Sequence, residues 1–119
     1  MDYKDKFKKG LLEMLLLKIL SEHDCYGYQI TQIFKKVSKG NIVVREPSMY
    51  PILYRLQKRG FISSYKEHGH GRMERIYYHI EKKGLNELDL LITAYEQVKY
   101  GVDELLNYQY IEELREYAE

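Results

Sequence analysis

The stretch 46–60, EPSMYPILYRLQKRG, constrains this chain more than any other, because its start, its stop and its two faces all follow from residue type. Ser48 is placed to cap a helix, since its hydroxyl can accept from an unpaired N–H of the first turn. Pro51 then falls within that first turn, where a missing N–H costs nothing. Gly60 suits the C-terminal stop, where a left-handed backbone is usual. Met49, Ile52, Leu53 and Leu56 share one face at helical spacing, which predicts a buried side. At about 100° per residue, Pro51, Tyr54, Arg55 and Lys58 point the other way. That outward face carries two cations, an aromatic and no acid. A helix that enters a DNA groove needs such a bias, whereas an ordinary surface helix does not.

The segments 61–67 (FISSYKE) and 75–80 (RIYYHI) are rich in β-branched and aromatic residues. In the second, Ile76, Tyr78 and Ile80 alternate with Arg75, Tyr77 and His79, the period of a half-buried strand. Between them lies HGHGRME, where Gly69 and Gly71 allow a turn. Helix, strand, basic loop, strand is the order of a winged helix-turn-helix, with the loop as its wing. The fold class predicted is therefore mainly α with a small β-wing. On the helix, Arg55 and Lys58 are candidates for phosphate contact, or for Arg55 the edge of a guanine. Tyr50, on the flank, either donates to a phosphate or packs. In the wing, His70, Arg72 and Arg75 are candidates for backbone or minor-groove contact.

Upstream, residues 10–20 carry apolar side chains at 11, 12, 15, 16, 19 and 20, with Met14 and Leu17 beside them. A helix this apolar buries more than one face, one in its own domain and one against a second partner. Residues 26–37 form a second helix, with Ile30, Ile33, Phe34 and Val37 in line and Asp24 as the best local cap. Residues 38–41 make a turn, and 42–44 are extended and expected to supply the third strand. From 84 onward Leu88, Leu91, Tyr95, Val98, Val102 and Leu105 follow a heptad spacing, the mark of a helix packed lengthwise on another helix. Gly101 interrupts it and is a place for the helix to bend or end. Residues 108–117 add at most a further helical turn or two.

At 119 residues the chain is one modest core, marginal as a monomer. Its net charge is +1, but the charge is unevenly placed: residues 1–83 hold 17 Lys+Arg against 9 Asp+Glu, and residues 84–119 hold 2 against 9. A body at +8 followed by a segment at −7 implies that only the body meets a polyanion. We therefore divide the chain at 83/84 into a DNA-binding part, 1–83, and a C-terminal dimerisation helix, 84–119. The single cysteine, Cys25, excludes an intrachain disulfide and suits a reducing compartment. The N-terminus is charged and the apolar run after it is short and interrupted by Glu13 and Lys18. Neither a signal peptide nor a membrane span is expected, and the cytoplasm is the expected location.

Several short motifs, in order, resemble the PadR family of winged-helix transcriptional regulators. They are Gly10-Leu11-Leu12-Glu13, Tyr26-Gly27-Tyr28-Gln29-Ile30 and Met49-Tyr50-Pro51-Ile52-Leu53, followed by Arg55-Leu56, Gly60-Phe61-Ile62, Tyr77-Tyr78 and Gly84. The likeness spans roughly residues 10–106 and suits the small subfamily with one C-terminal helix. It implies a dimeric DNA-binding repressor, often released by a small aromatic or drug-like effector. Two residues depart from the pattern. Glu81 stands where the family usually has a Thr capping the last helix, so a looser start is expected. Tyr95 stands where small-subfamily relatives tend to carry a Trp in a pore between subunits.

Other readings weigh less. Catalysis has no support, for there is no Ser-His-Asp order, phosphate-cradling glycine loop or metal-ligand cluster. His68 with His70, and His23 with Cys25, lack the further ligands a metal needs, so neither a metal nor a cofactor is expected. Cys25 has no adjacent base and reads as a packing residue. The heptad seam fits either an intrachain helix or a second subunit; the dimer is favoured because the other helices are short and committed. Phe7, Leu11 and Leu15 could then close over the partner's last helix and line an effector pocket with Tyr95 and Val98. The expected DNA partner of such a dimer is an inverted-repeat operator. The rival from another class is a winged helix used as a protein-interaction module, whose outward face should carry apolar hot spots in place of Arg55 and Lys58.

Overall fold

The computed structural model describes residues 3–68 and 73–117. A short helix α1 (Asp5–Lys8) runs through a 3-10 turn into α2 (Leu12–Glu22). A two-residue strand β1 (Cys25–Tyr26) leads into α3 (Gly27–Val37), and α4 (Glu46–Lys58) follows after a loop. The strands β2 (Ile62–His68) and β3 (Glu74–Ile80) form a hairpin, and α5 (Lys82–Leu106) and a 3-10 turn (Glu112–Tyr117) complete the chain. The sheet is antiparallel in the order β1-β3-β2, with Tyr26 and Tyr65 both opposite Tyr77 and Ile62 opposite Ile80.

The core lies where α2, α3 and α4 meet the inner face of this sheet. Leu16, Leu17 and Leu20 of α2, Ile30 and Phe34 of α3, and Met49, Leu53 and Leu56 of α4 are buried together. Phe61, Ile62, Tyr78 and Ile80 close the cluster from the sheet side, and Leu88 closes it from α5. Removing one of the fully buried leucines is a ~2–5 kcal/mol change, because transfer and cavity costs add. The apolar face predicted for α4 is therefore the face that anchors it.

α4 ends as its sequence indicates but begins earlier. Gly60 has φ +80°, Gly60 N–H donates to Gln57 C=O and Phe61 N–H donates to Leu56 C=O. Those two bonds are a Schellman stop. At the other end Arg45, not Ser48, takes the cap position, and no side chain caps it. Glu46 and Pro47 form the first turn, an acid and a residue with no N–H to lose, so they replace the hydroxyl cap. Pro51 consequently sits inside the helix rather than in its first turn. Its missing donor would have met the carbonyl of Pro47, on the exposed side where water can serve it.

Two further expectations change for non-local reasons. Tyr26, not Asp24, caps α3, and the Gln29 side-chain oxygen accepts from the Tyr26 N–H at 3.3 Å. The Asp24 carboxylate is taken instead by Tyr65 Oη and His79 Nδ1, each at 2.7 Å. The third strand is β1, while residues 42–44 stay irregular and Val44 plugs the core. Ile76, expected to be buried with Tyr78 and Ile80, is 47% exposed because the outer half of the hairpin runs past the core.

α5 starts under tight contact. A Cβ at Gly84 would overlap the carbonyl oxygen of Phe61, so only glycine lets α5 come this close. Glu81 holds the cap position without a side-chain cap bond, accepting instead from Ser63 Oγ at 2.6 Å, while its N–H donates to Phe61 C=O at 2.9 Å. The helix does not stop at Gly101 but runs on to Leu106. Only its first part touches the body, through Gly84, Leu88, Leu91 and Ile92. At about 1.5 Å per residue the 25 residues of α5 span about 37 Å, which accounts for overall extents of 70 × 32 × 21 Å. Beyond Ile92 the seam is bare: Tyr95 is 38% exposed, Val98 65% and Leu105 75%.

Candidate nucleic-acid interface

α3 and α4 form the helix-turn-helix pair, and their packing aims the outward face of α4. A Cβ on Gly27, at the start of α3, would overlap the Tyr50 hydroxyl; the bare glycine lets the ring lie across that start. Tyr50 Oη donates to Glu46 Oε1 at 3.0 Å. Burial first, and then that carboxylate, push the Tyr50 phenol up to about 12. Of the two roles open to Tyr50, packing is thus occupied: its proton is committed within α4. Gln57 Nε2 donates to Ser64 Oγ at 3.1 Å and ties the other end of the helix to β2.

Pro51, Tyr54, Arg55 and Lys58 are all exposed on one side of α4, as the spacing predicts. Lys58 Nζ lies 5.9 Å from the centre of the Tyr54 ring. No ion pair within the described residues engages Arg55 or Lys58. Arg59 behaves differently, meeting Glu13 at 3.6 Å and Glu87 at 3.9 Å and lying 4.7 Å over the Phe61 ring. It braces α4 against α2 and α5, so the helix presents two unpaired cations and one structural one.

The wing divides. His70 and Arg72 lie outside the described residues. Arg75 is exposed on β3, its guanidinium 4.5 Å from the Tyr26 ring centre, on the sheet face away from the core. On that same face Tyr65 and Tyr77 stack at 5.7 Å and Tyr26 meets Tyr77 edge-on at 5.5 Å. Hydrogen bonding to Asp24 raises the Tyr65 phenol to about 12, with burial adding to it. For Asp24 burial works upward, but the bonds from His79 and Tyr65 outweigh it and hold the carboxyl below its ordinary value. The base of the wing is therefore tied to the start of α3 through Asp24 and Tyr26. At its outer end Lys66 and His68 both reach Glu74, at 3.4 and 3.5 Å.

Ser48 is exposed beside two clefts that the linear sequence does not reveal. One is lined by Asp5, Lys8, Leu12, Val43, Arg45 and Ser48, and the other by Lys9, Glu13, Pro51, Ile52 and Arg55 among others. Arg45, Lys8 and Lys9 are the basic residues that the outward face of α4 alone misses; the N-terminal lysine run was the local signal for the two lysines, and Arg45 stands at the α4 cap.

The proposed effector residues are not gathered into one cavity by a single chain. Leu15 lines an apolar groove of about 160 Å³ with Ile19, Ile33, Phe34, Val37 and Ile42. Tyr95 and Val98 are not among its lining residues. Leu11 is half-buried and Phe7 is 76% exposed. Of the seam residues, Leu88 belongs to the chain's own core and Leu91 packs against it; Tyr95, Val98, Val102 and Leu105 remain open. Among the described residues no cluster of His, Cys, Asp and Glu could hold a metal. No helix of these residues is long and apolar enough to cross a membrane.

Residues 16–90 match the model of the transcriptional regulator PadR-like family. A PadR-like transcriptional regulator from Bacillus cereus, solved by crystallography, is similar over 87% of this chain and 99% of its own, with 33% identity and a TM-score of 0.76. An uncharacterised protein of Lysinibacillus sphaericus is 28% identical over 95 residues, covering 80% of this chain and 87% of that protein. The transcriptional regulator YqjI of Escherichia coli is 32% identical over 63 residues, 53% of this chain and 30% of that protein. With a winged helix-turn-helix, two exposed cations on its second helix and a family match over most of the body, the chain belongs to the PadR-like family of transcriptional regulators, and it is a regulator rather than an enzyme.

Proposed function

We propose that the protein works as a homodimeric repressor that reads an inverted-repeat operator with one α4 per major groove. The observation that carries this reading is the outward face of α4, where Pro51, Tyr54, Arg55 and Lys58 are exposed and both cations lack an ionic partner among the described residues. Fixed charges left unpaired beside a rigid scaffold suit a polyanion, and phosphate contacts then position the helix while Arg55 reads a base edge. Ser48 and Tyr50 flank the groove, and the wing, with His70, Arg72 and Arg75, follows the adjoining backbone. The division of labour is a DNA-reading part, 1–83, and a dimerising C-terminal segment, 84–119, that holds most of α5, in a cytoplasmic protein.

Dimerisation rests on the bare part of α5. A row of apolar side chains this exposed is unstable in water without a partner. Paired through Leu91, Tyr95, Val98, Val102 and Leu105, two chains would also bring Phe7, Leu11 and Leu15 of one over the last helix of the other. A flat aromatic ligand held between the two Tyr95 rings could then change half-site spacing, but only as far as it prefers the DNA-incompetent state.

The test is selection of genomic fragments on the purified protein, followed by titration of wild type, Arg55→Ala and Lys58→Ala on a selected site. Arg55→Ala should cost ~1–3 kcal/mol and relax one operator position, while Lys58→Ala should weaken all sequences alike. Footprints of both variants identical to wild type would remove α4 from the DNA. Binding that does not weaken with salt would favour the protein-interaction module instead.

A further inference from the structure

The two clefts beside Ser48 form one trough. They share Leu12 and Ser48, and their volumes are about 310 and 530 Å³. One wall is the N-terminal segment with Lys8 and Lys9; the other is the flank of α4 from Arg45 to Arg55. Lys8 fastens the walls together, its Nζ meeting Asp5 Oδ1 and donating to Val43 C=O, both at 2.7 Å.

The charges along this trough are not balanced. Asp5 is paired with Lys8, Glu13 faces Arg59 at 3.6 Å, and Glu46 accepts the Tyr50 hydroxyl. Lys9, Arg45 and Arg55 have no ionic partner among the described residues. Arg45 and Arg55 are ten residues apart, about 15 Å along the axis at 1.5 Å per residue. A duplex strand presents a phosphate about every 3.4 Å of axis, so a trough of this length can follow several.

We infer that this trough is a second phosphate-binding surface, in which Lys9 and Arg45 grip the DNA backbone beside the groove that α4 reads. The inference rests on the DNA-binding reading of α4 and extends it to the N-terminal segment. Lys8 is a positioning residue here: its ammonium is already committed, and its role is to hold Lys9 opposite Arg55. Because backbone phosphates carry no sequence, this surface adds affinity and orientation without selectivity.

The experiment measures the salt dependence of affinity for a selected operator and for an arbitrary duplex. The slope of log affinity against log salt should fall by about 0.9 for each phosphate contact removed. Lys9→Ala and Arg45→Ala should lower it equally on both duplexes, and Lys9→Arg should restore it. Lys8→Ala should weaken binding through a looser N-terminal segment, read as faster amide exchange over residues 5–11. Lys18→Ala removes the same charge from a residue paired with Glu22 at 2.9 Å and should leave the slope unchanged. Wild-type slopes in both Lys9→Ala and Arg45→Ala would overturn the trough while leaving α4 in place. A wild-type slope in Lys58→Ala together with unchanged operator affinity and selectivity in Arg55→Ala would overturn both. If the two variants lose dimer mass by light scattering yet bind DNA unchanged per dimer, the trough seats the acidic helix of a second copy, and the DNA inference fails.

Discussion

The α-carbon of Gly84 lies against the backbone carbonyl of Phe61, closer than any side chain would allow. This contact joins α5 to the winged helix and sets the direction in which the helix leaves the body. A clash with backbone cannot be relieved by a rotamer change. Gly84→Ala should therefore destabilise by ~1–3 kcal/mol, although alanine is the better helix former. Gly101 is the matched control, because a Cβ there meets nothing within 4 Å. Gly101→Ala should stabilise by up to ~1 kcal/mol. Thermal unfolding of the two variants should move in opposite directions; a loss at both would mean that a second chain packs against Gly101.

Oligomeric state is decided by the exposed part of α5. Tyr95→Glu combined with Val98→Glu puts like charges across the proposed seam and should give monomers. A light-scattering mass that stays dimeric would sink the assignment. The double variant should keep its fold, because both positions are exposed in the single chain.

For the effector, calorimetry is preferable to fluorescence, since 13 tyrosines and no tryptophan make quenching ambiguous. A planar aromatic should bind wild type and lower operator affinity, and Tyr95→Ala should lose both effects. Offset stacking contributes ~0.5–1.5 kcal/mol per ring pair beyond area burial. Equal ligand affinity in the two proteins would take Tyr95 out of the site.

Asp24 makes the wing anchor dependent on pH. Burial works against its charged form, but the bonds from His79 and Tyr65 prevail and its pKa is lowered in the folded protein. A depressed carboxyl contributes stability that is complete above its unfolded value, about 4, and disappears as pH falls through the lower folded value. Asp24→Asn should therefore cost ~0.5–1 kcal/mol at neutral pH, an amount kept small by solvent screening. Chemical denaturation of the pair should converge once pH falls below the lowered pKa of Asp24. A gap that persists there would assign the effect to shape instead of charge.

Cys25 is fully buried, and its thiol is pushed up to about 11 by burial and then by Asp24. The thiolate is the reactive form, so native protein at pH 8 should resist a thiol reagent and react fully only when unfolded. Rapid modification without unfolding would instead mark Cys25, whose Sγ lies 3.3 Å from His23 Nδ1, as a reactive thiol.

Much of the architecture follows from the sequence because periodicity is a local property. The buried face of α4, the stop at Gly60, the two long strands and the long helix α5 each depend on residues within a few turns of one another. The exposed face Pro51–Tyr54–Arg55–Lys58 was legible for the same reason. The start of α4 is not placed this way: Ser48 reads as its cap, but the helix begins at Glu46 with Arg45 in the cap position. Other features had no local trace. Asp24 is drawn from capping α3 by Tyr65 and His79, which are 41 and 55 residues away. β1 exists only because β3 lies beside it, and a two-residue strand has no period to read. The trough of Lys9, Arg45 and Arg55 likewise comes from two distant segments, the N-terminus and α4, held together by a Lys8 bond to a backbone carbonyl 35 residues on. Sequence thus determined which face of each element is apolar, whereas only tertiary packing decided which polar groups were consumed as partners and which were left to face a ligand.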